Sequence, residues 1–420
     1  MASPFVAARF PALAYPDFRN LWLGQIVSAA GSQMQFWALN WQVYEITGSP
    51  YALGLIGLVR VGPILVFSLL GGMMADARDR RQMLLITQTT LALVAFALAG
   101  LAYTGRTSVG AIYLLTALGA AAIAFDNPAR QALVPSLVPR EHLPNALALS
   151  STGFQVATIA GPMLAGLIIG KFGPANAYAL NGLSFGAVIV ALLVLRYRPP
   201  READAAAGRV DLDSLKEGLR FVWRTPILVS TMTLDFFATF FSSASALLPI
   251  FARDILHVGP TGYGLLAAAP AAGSLIAGVL VSSLPPIVKQ GRVLLLAVVA
   301  YGLATIGFGA TSAFWLSALF LAGTGAADTV STVLRQTIRQ MVTPDRLRGR
   351  MVSVNMIFFM GGPQLGELEA GLLAGLVSAP FSVITGGVGC LLTAAFVTRF
   401  TPWLWRYTPP PAPPSPSERG

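Results

Sequence analysis

Charge is scarce in this sequence. Asp, Glu, Lys and Arg make up 11% of its 420 residues, where a water-soluble domain carries roughly 25%, so no ordinary solvated surface can be assembled from it. Cysteine is all but missing: Cys390 stands alone in the last apolar stretch, which excludes a disulfide framework and a cysteine metal cluster. The two histidines, His142 and His257, fall between apolar stretches. Of the three lysines only Lys171 follows a glycine, and Phe172 comes next; the Gly-Lys-(Ser/Thr) element that cradles nucleotide phosphates is therefore missing. No nucleotide, metal or other cofactor is expected. With no His/Cys cluster near the acids, an enzyme is not expected either.

What is present is apolar. Hydrophobic residues make up 55% of the chain, gathered into runs long enough to cross a membrane. A spanning helix needs ~20 mainly apolar residues, and in lipid the backbone must satisfy its own hydrogen bonds, so the runs are helices. Twelve are expected, at 19–46, 51–75, 82–103, 108–131, 147–170, 175–196, 226–252, 261–284, 292–311, 313–335, 350–377 and 380–401. The first run is long enough to stay in the bilayer, so no cleaved signal peptide is expected.

The cations order these spans. Twenty-four of the 28 Lys and Arg residues fall in every second gap, from Arg9 and Arg19 to Arg399, Arg406 and Arg419. The intervening gaps hold only Arg106, Lys171 and Arg253, and Arg60 lies inside a run. Cationic loops are retained in the cytoplasm, which places both termini there and requires an even number of crossings. The net charge of +10 thus reflects topology and anionic headgroups, and no nucleic-acid partner is expected.

The longest connection divides the chain into a six-helix bundle at 1–196, a cytoplasmic linker at 197–225 and a second bundle at 226–401. A Pro-rich tail at 402–420 is expected to be disordered. In the linker Ser214 and Glu217 form a capping box, and Leu212, Leu215, Leu219 and Val222 an apolar stripe that would lie on headgroups or beneath the bundle. The halves repeat. Arg130-Gln131, Pro139 and Asn145 in the first match Arg335-Gln336, Pro344 and Arg350 in the second at equal spacing. Each half continues into a Gly-Pro pair, Gly161-Pro162 and Gly362-Pro363, whose offsets differ by four. Two like halves suggest a transporter with its site between them.

Between spans two and three the chain reads Gly71-Gly72-Met73-Met74-Ala75-Asp76-Ala77-Arg78-Asp79-Arg80-Arg81. Gly72, Asp76, Arg80 and Arg81 match the signature loop of the major facilitator superfamily, which the sequence resembles over roughly 17–405. The resemblance implies an all-α membrane protein of twelve helices in two pseudo-symmetric six-helix bundles. It also implies that Asp76, Arg80 and Arg81 latch the outward-facing state; the bare alternative is a topology anchor. In the second half Ser282 stands where the acid would be. Gly153, Gly161, Pro162 and Gly166 resemble an abbreviated antiporter signature, with Leu167 in place of its last glycine; ordinary glycine-mediated packing is the alternative. Three stretches resemble enterobactin exporters and their drug-efflux relatives, the transmembrane secretion effectors. These are Asp17-Phe18-Arg19-Asn20-Leu21-Trp22, Val43-Tyr44-Glu45-Ile46-Thr47-Gly48-Ser49 and Glu217-Gly218-Leu219-Arg220-Phe221-Val222.

Ionisable groups inside spans cost ~2.5–3.5 kcal/mol each on insertion scales and mark function. Here they are Arg60, Asp126, Asp235, Asp328, Glu367 and Glu369. Asp126 and Asp328 lie near Arg130 and Arg335, as interior ion pairs at the cytoplasmic rim. Asp235 and Glu367 have no cation in their local sequence and are the candidates for proton coupling, or else for hydrogen bonding between helices or a cationic substrate. Glu369 cannot share a face with Glu367, and Arg60 would neutralise an acid or hold an anion. Gln33, Trp37, Asn40 and Trp41 form one polar-aromatic stripe, suited to a substrate cavity or to packing.

These features point to a secondary transporter in a bacterial inner (plasma) membrane, exporting a siderophore, drug or other amphipathic small molecule against protons. An importer or uniporter is the alternative within the class, and a non-transporting membrane sensor or scaffold the alternative outside it. The expected partners are the substrate, protons and the lipid bilayer; the sequence names no outer-membrane or periplasmic partner.

Overall fold

The computed structural model describes residues 10–77, 79–196, 212–241, 244–285, 287–344 and 347–408. Among the described residues it is all helix, in twelve long elements. These are α1 (Pro16–Thr47), α2 (Pro50–Ala77), α3 (Arg80–Tyr103), α4 (Val109–Leu133), α5 (Leu143–Phe172) and α6 (Pro174–Val194), then α7 (Pro226–Phe241), α8 (Gly259–Ser283), α9 (Gln290–Ala310), α10 (Phe314–Val342), α11 (Arg348–Leu376) and α12 (Ala379–Phe400). Among the described residues ten spans are long and apolar enough to cross a bilayer, and α1 and α11 are not among them. Those two carry Gln33, Gln35, Asn40 and Gln42, and Asn355, Gln364, Glu367 and Glu369. Such polar residues are tolerated at membrane depth where protein or an internal cavity, rather than lipid, receives them.

The six-plus-six arrangement is visible in which helices touch. In the first half α1 packs on α5 and α6, α2 on α4, and α3 on α4 and α6. In the second, α7 packs on α11 and α12, α8 on α10, and α9 on α10 and α12. Each pairing recurs six helices later. The junctions between halves obey the same rule, α5 against α8 and α11 against α2.

Both junctions are made backbone to backbone. A Cβ added at Gly166 would stand 2.8 Å from the Gly264 Cα, and one at Gly371 would stand 2.6 Å from the Gly54 Cα. No real side chain fits, and small residues are what allow membrane helices to approach so closely. Gly166 lies as far beyond Arg130 as Gly371 lies beyond Arg335, so the repeat read from the sequence carries through to the seam.

Among the described residues the buried apolar clusters join the halves at one end only. A large cluster at the end bearing Arg106, Lys171 and Arg253 unites both halves, from Met34, Trp41 and Tyr178 to Phe251, Tyr263 and Phe308. At the cation-rich end each half has its own: Phe18, Leu21, Leu133 and Leu192 in the first, and Leu234, Leu294, Ile338 and Leu404 in the second.

Α7 departs from a simple span. Beyond Phe241 it continues as a 3-10 turn (Ala244–Leu247), a short turn (Leu248–Ile250) and a π-helical turn (Phe251–Ile255). The connecting helix Leu212–Arg224 packs on α7 and α11. Its Val222 is buried with Met232 and Met351, whereas Leu219 and Trp223 stay exposed. Residues 197–211 and the side chains of Leu212, Ser214 and Leu215 lie outside the described residues.

The tail expected from 402 begins with order instead. A turn at Pro402–Trp405 tucks under α9, where the Gly291 N–H donates to the Tyr407 carbonyl at 3.3 Å and Arg292 lies 5.5 Å from the Trp405 ring. The aromatic residues that precede the prolines supply this anchorage. Residues 409–420 lie outside the described residues.

Candidate functional site

At the closed end α1 meets the end of α7 and the start of α8. The Tyr44 hydroxyl donates to the Asp254 carboxylate, and Arg253 lies over the Tyr44 ring. Tyr263, fully buried, donates its hydroxyl to the Trp37 carbonyl at 3.0 Å and packs its ring against Trp37 and Trp41. Nothing in the sequence singled out Asp254 or Tyr263, because their partners lie some two hundred residues away.

Beneath this plug is a cavity of about 330 Å³ that draws on both halves. Α1 supplies Gln33 and Trp37, and α5 supplies Gln155 and Thr158; Tyr301 and Asp328 are among the second half's contribution. Of the stripe expected on α1, only Gln33 and Trp37 line it. Asn40 is buried and donates to the Phe36 carbonyl at 2.8 Å, and Trp41 is buried beside Tyr263. The stripe follows the helix out of the cavity and into the closed seam.

The acids sort into three clusters. Asp126, from α4, is buried and receives hydrogen bonds from Thr87 at 2.8 Å and Gln88 at 2.6 Å, with Arg130 on its other oxygen. This is the interior ion pair expected from the i, i+4 spacing. In the second half Asp235 is not without cations. Arg335 lies 2.9 Å away and Arg339 3.2 Å, both projecting from α10. Arg335 also reaches Asp328, at 3.4 Å, so its shorter bond is to Asp235 rather than to the acid on its own helix. Ser331 and Thr332 accept from Arg335, and the Thr231 carbonyl accepts from Arg339. Arg339 escaped the sequence reading, although its i+4 spacing from Arg335 sets both on one helix face.

The third cluster crosses the seam. Glu367 of α11 lies against Gly57 of α2. The cation whose field reaches it is Arg60, which rests 4.3 Å over the Phe36 ring of α1. Glu369, two residues on, is half-buried elsewhere on α11.

The described hydrogen bonds of the signature loop stay within the first half. Arg80 donates to the Ala132 carbonyl at 3.2 Å, and Arg81 grips the Leu192 and Leu193 carbonyls at 2.7 and 2.9 Å. Those carbonyls close α6, where a cation is favoured. Asp79 caps α3 by accepting from the Arg81 and Gln82 amides. Gly72 and the side chain of Asp76 lie outside what is described. Of the antiporter-type residues, Gly161 abuts Gln33 and Met34 of α1, Gly153 abuts Ile26, and Gly166 forms the seam with α8, where the Pro162 carbonyl also faces Gly264.

The seam gives a direct test. Gly166→Leu should wedge α5 from α8 and open the plugged end. With Ser245, a cavity residue, changed to Cys, a membrane-impermeant maleimide added from the cation-poor side should label it several-fold faster than without the wedge. Unchanged labelling would show that the glycine contact does not hold this end shut.

The architecture is that of helical membrane transporters. A bacterial homolog of the human lysosomal transporter Spinster, in an inward-facing and occupied conformation, superposes with a TM-score of 0.74 at 16% identity, covering 94% of this chain and 99% of that one. A bacterial homologue of the iron transporter ferroportin, inward-facing, gives 0.67 at 16% identity, covering 92% and 98%. Residues 7–405 match the transmembrane secretion effector family, and the chain belongs to it. An enterobactin exporter of Citrobacter koseri is 26% identical over 95% of both chains. One from Escherichia coli O1:K1 is 27% identical, over 94% of this chain and 95% of its own. This protein is therefore a multi-pass membrane transporter and not an enzyme.

Proposed function

We propose that this transporter is a proton-coupled exporter of amphipathic small molecules of the siderophore or drug kind. It works by alternating access, in a bacterial inner membrane, with both termini in the cytoplasm. The single observation that carries the reading is closure at one end. The bridging core and both glycine junctions lie beyond the cavity toward the cation-poor face, while the described bonds of Arg80, Arg81, Arg130, Arg335 and Arg339 each stay within one half. With the cation-rich face cytoplasmic, this is the state that would load an export cargo. In the opposite state Gly72, Asp76, Arg80 and Arg81 would meet the second half and hold the cytoplasmic end shut.

Coupling is assigned to Glu367. It sits where α2 and α11 touch, against Gly57 and so one helical turn before Arg60 on α2. Rocking the halves would part it from Arg60, and a carboxylate left in a low-dielectric seam without a cation takes up a proton. Asp235, held between two arginines, acts with Arg335 to keep Asp328 in place at the cavity wall. Gly153, Gly161, Pro162 and Gly166 let α5 pivot, and Gln33 and Trp37 receive the cargo.

The test is transport itself. In proteoliposomes an imposed pH gradient should drive ethidium uphill, and a protonophore should abolish the movement. Trp37→Ala should raise the half-saturating concentration roughly five-fold, as expected for losing an aromatic contact worth about 1 kcal/mol. Movement indifferent to the gradient would reject coupling and favour a uniporter.

A further inference from the structure

The cavity is strongly biased in charge. Among the described residues lining it, Asp328 is the one charged side chain; the rest are aromatic, hydroxyl, amide or apolar. The Asp328 side chain is 46% exposed, whereas that of Arg335 behind it is 3% exposed. Of its two acids Arg335 lies closer to Asp235, at 2.9 Å against 3.4 Å to Asp328, and Asp235 takes Arg339 as well. Both described interactions of Asp328, with Arg335 and with Thr332, fall on the same oxygen, Oδ1. Its Oδ2 takes no hydrogen bond from any described residue. A ligand entering therefore meets a carboxylate first, with the compensating guanidinium groups buried out of reach. The first half supplies the indole of Trp37, the kind of ring face that attracts cations.

We propose that the cavity selects a cationic amphiphile with an aromatic or apolar body, and that Asp328 receives its charge while Trp37 packs on its body. The inference rests on the transport reading and narrows its cargo. An anionic catecholate would face Asp328 with no cation among the described lining residues to answer it, so charge sets this cavity apart from one built for such a ligand. The volume, about 330 Å³, is at the small end of drug-sized sites. The other acids are not available for the role. Asp126 is closed off by Thr87, Gln88 and Arg130, and Glu367 faces α2.

Two isosteric probes isolate charge from shape: tetraphenylphosphonium and tetraphenylborate carry the same four rings with opposite sign. Equilibrium dialysis against the full-length protein in detergent, with empty micelles subtracted, should show the phosphonium binding at least about ten-fold tighter, a difference of about 1.4 kcal/mol. Asp328→Asn should collapse that ratio, and Asp328→Glu should keep most of it. Equal binding of the two probes by the unaltered protein, or tighter binding of the borate, would overturn the proposal without recourse to any variant. So would a ratio that survives in a folded Asp328→Asn protein. The transport reading fails on a different result, namely proteoliposomes in which the protein adds nothing to ethidium leak or exchange. Charge-selective binding would then stand as the property of a sensor.

Discussion

Asp235→Asn is expected to destabilise the protein by about 3–5 kcal/mol, the range for breaking a buried ion pair by removing one partner. The reason lies in the count of charges. Arg335 would keep Asp328 at 3.4 Å, but Arg339 would be left with only the Thr231 carbonyl and hydroxyl, inside a region where its side chain is 4% exposed. Removing the stranded charge should restore part of the loss, so Asp235→Asn with Arg339→Gln should melt above the single variant. Thermal unfolding in detergent, followed by light scattering, measures both. A single variant that melts with the unaltered protein would mean that water or lipid phosphate already solvates Arg339.

Glu367→Gln is expected to act on energy conversion rather than on folding. The amide fills nearly the same volume beside Gly57 and carries no charge, so the seam between α2 and α11 can still form. Uphill movement of ethidium under a pH gradient should fall to background, while exchange between equal pH compartments persists. The rate of that exchange should lose the pH dependence that the unaltered protein shows. If gradient-driven transport survives the substitution, the coupling proton resides elsewhere, and the half-buried Glu369 on the same helix becomes the next residue to replace.

The architecture was legible because a bilayer imposes it on the sequence directly. Alternating cationic gaps and the repeat of Arg130 and Arg335 are one-dimensional signals, and the twelve helices with their duplicated pairings follow from them. Much of the site was hidden for the opposite reason. Asp235 gains its arginines from α10 and Glu367 its field from Arg60 of α2, partners some one hundred and three hundred residues away. Only local pairs such as Asp126 with Arg130 could be read from spacing. The α1 stripe divides because periodicity names a face but not the depth at which that face leaves the cavity. Gln33 and Trp37 reach open space, while Asn40 and Trp41, about one turn beyond Trp37, are sealed in the plug.

The private cores at the cation-rich end have a further meaning for how the molecule is put together. Phe18, Leu21, Leu133 and Leu192 find their neighbours without help from the other half, and so do Leu234, Leu294, Ile338 and Leu404. Each sextet is thus a finished object at its cation-rich pole and an unfinished one at its cation-poor pole. The chain amounts to twin shells sharing a clasp, and damage deep inside one shell should leave the shape of its sibling intact.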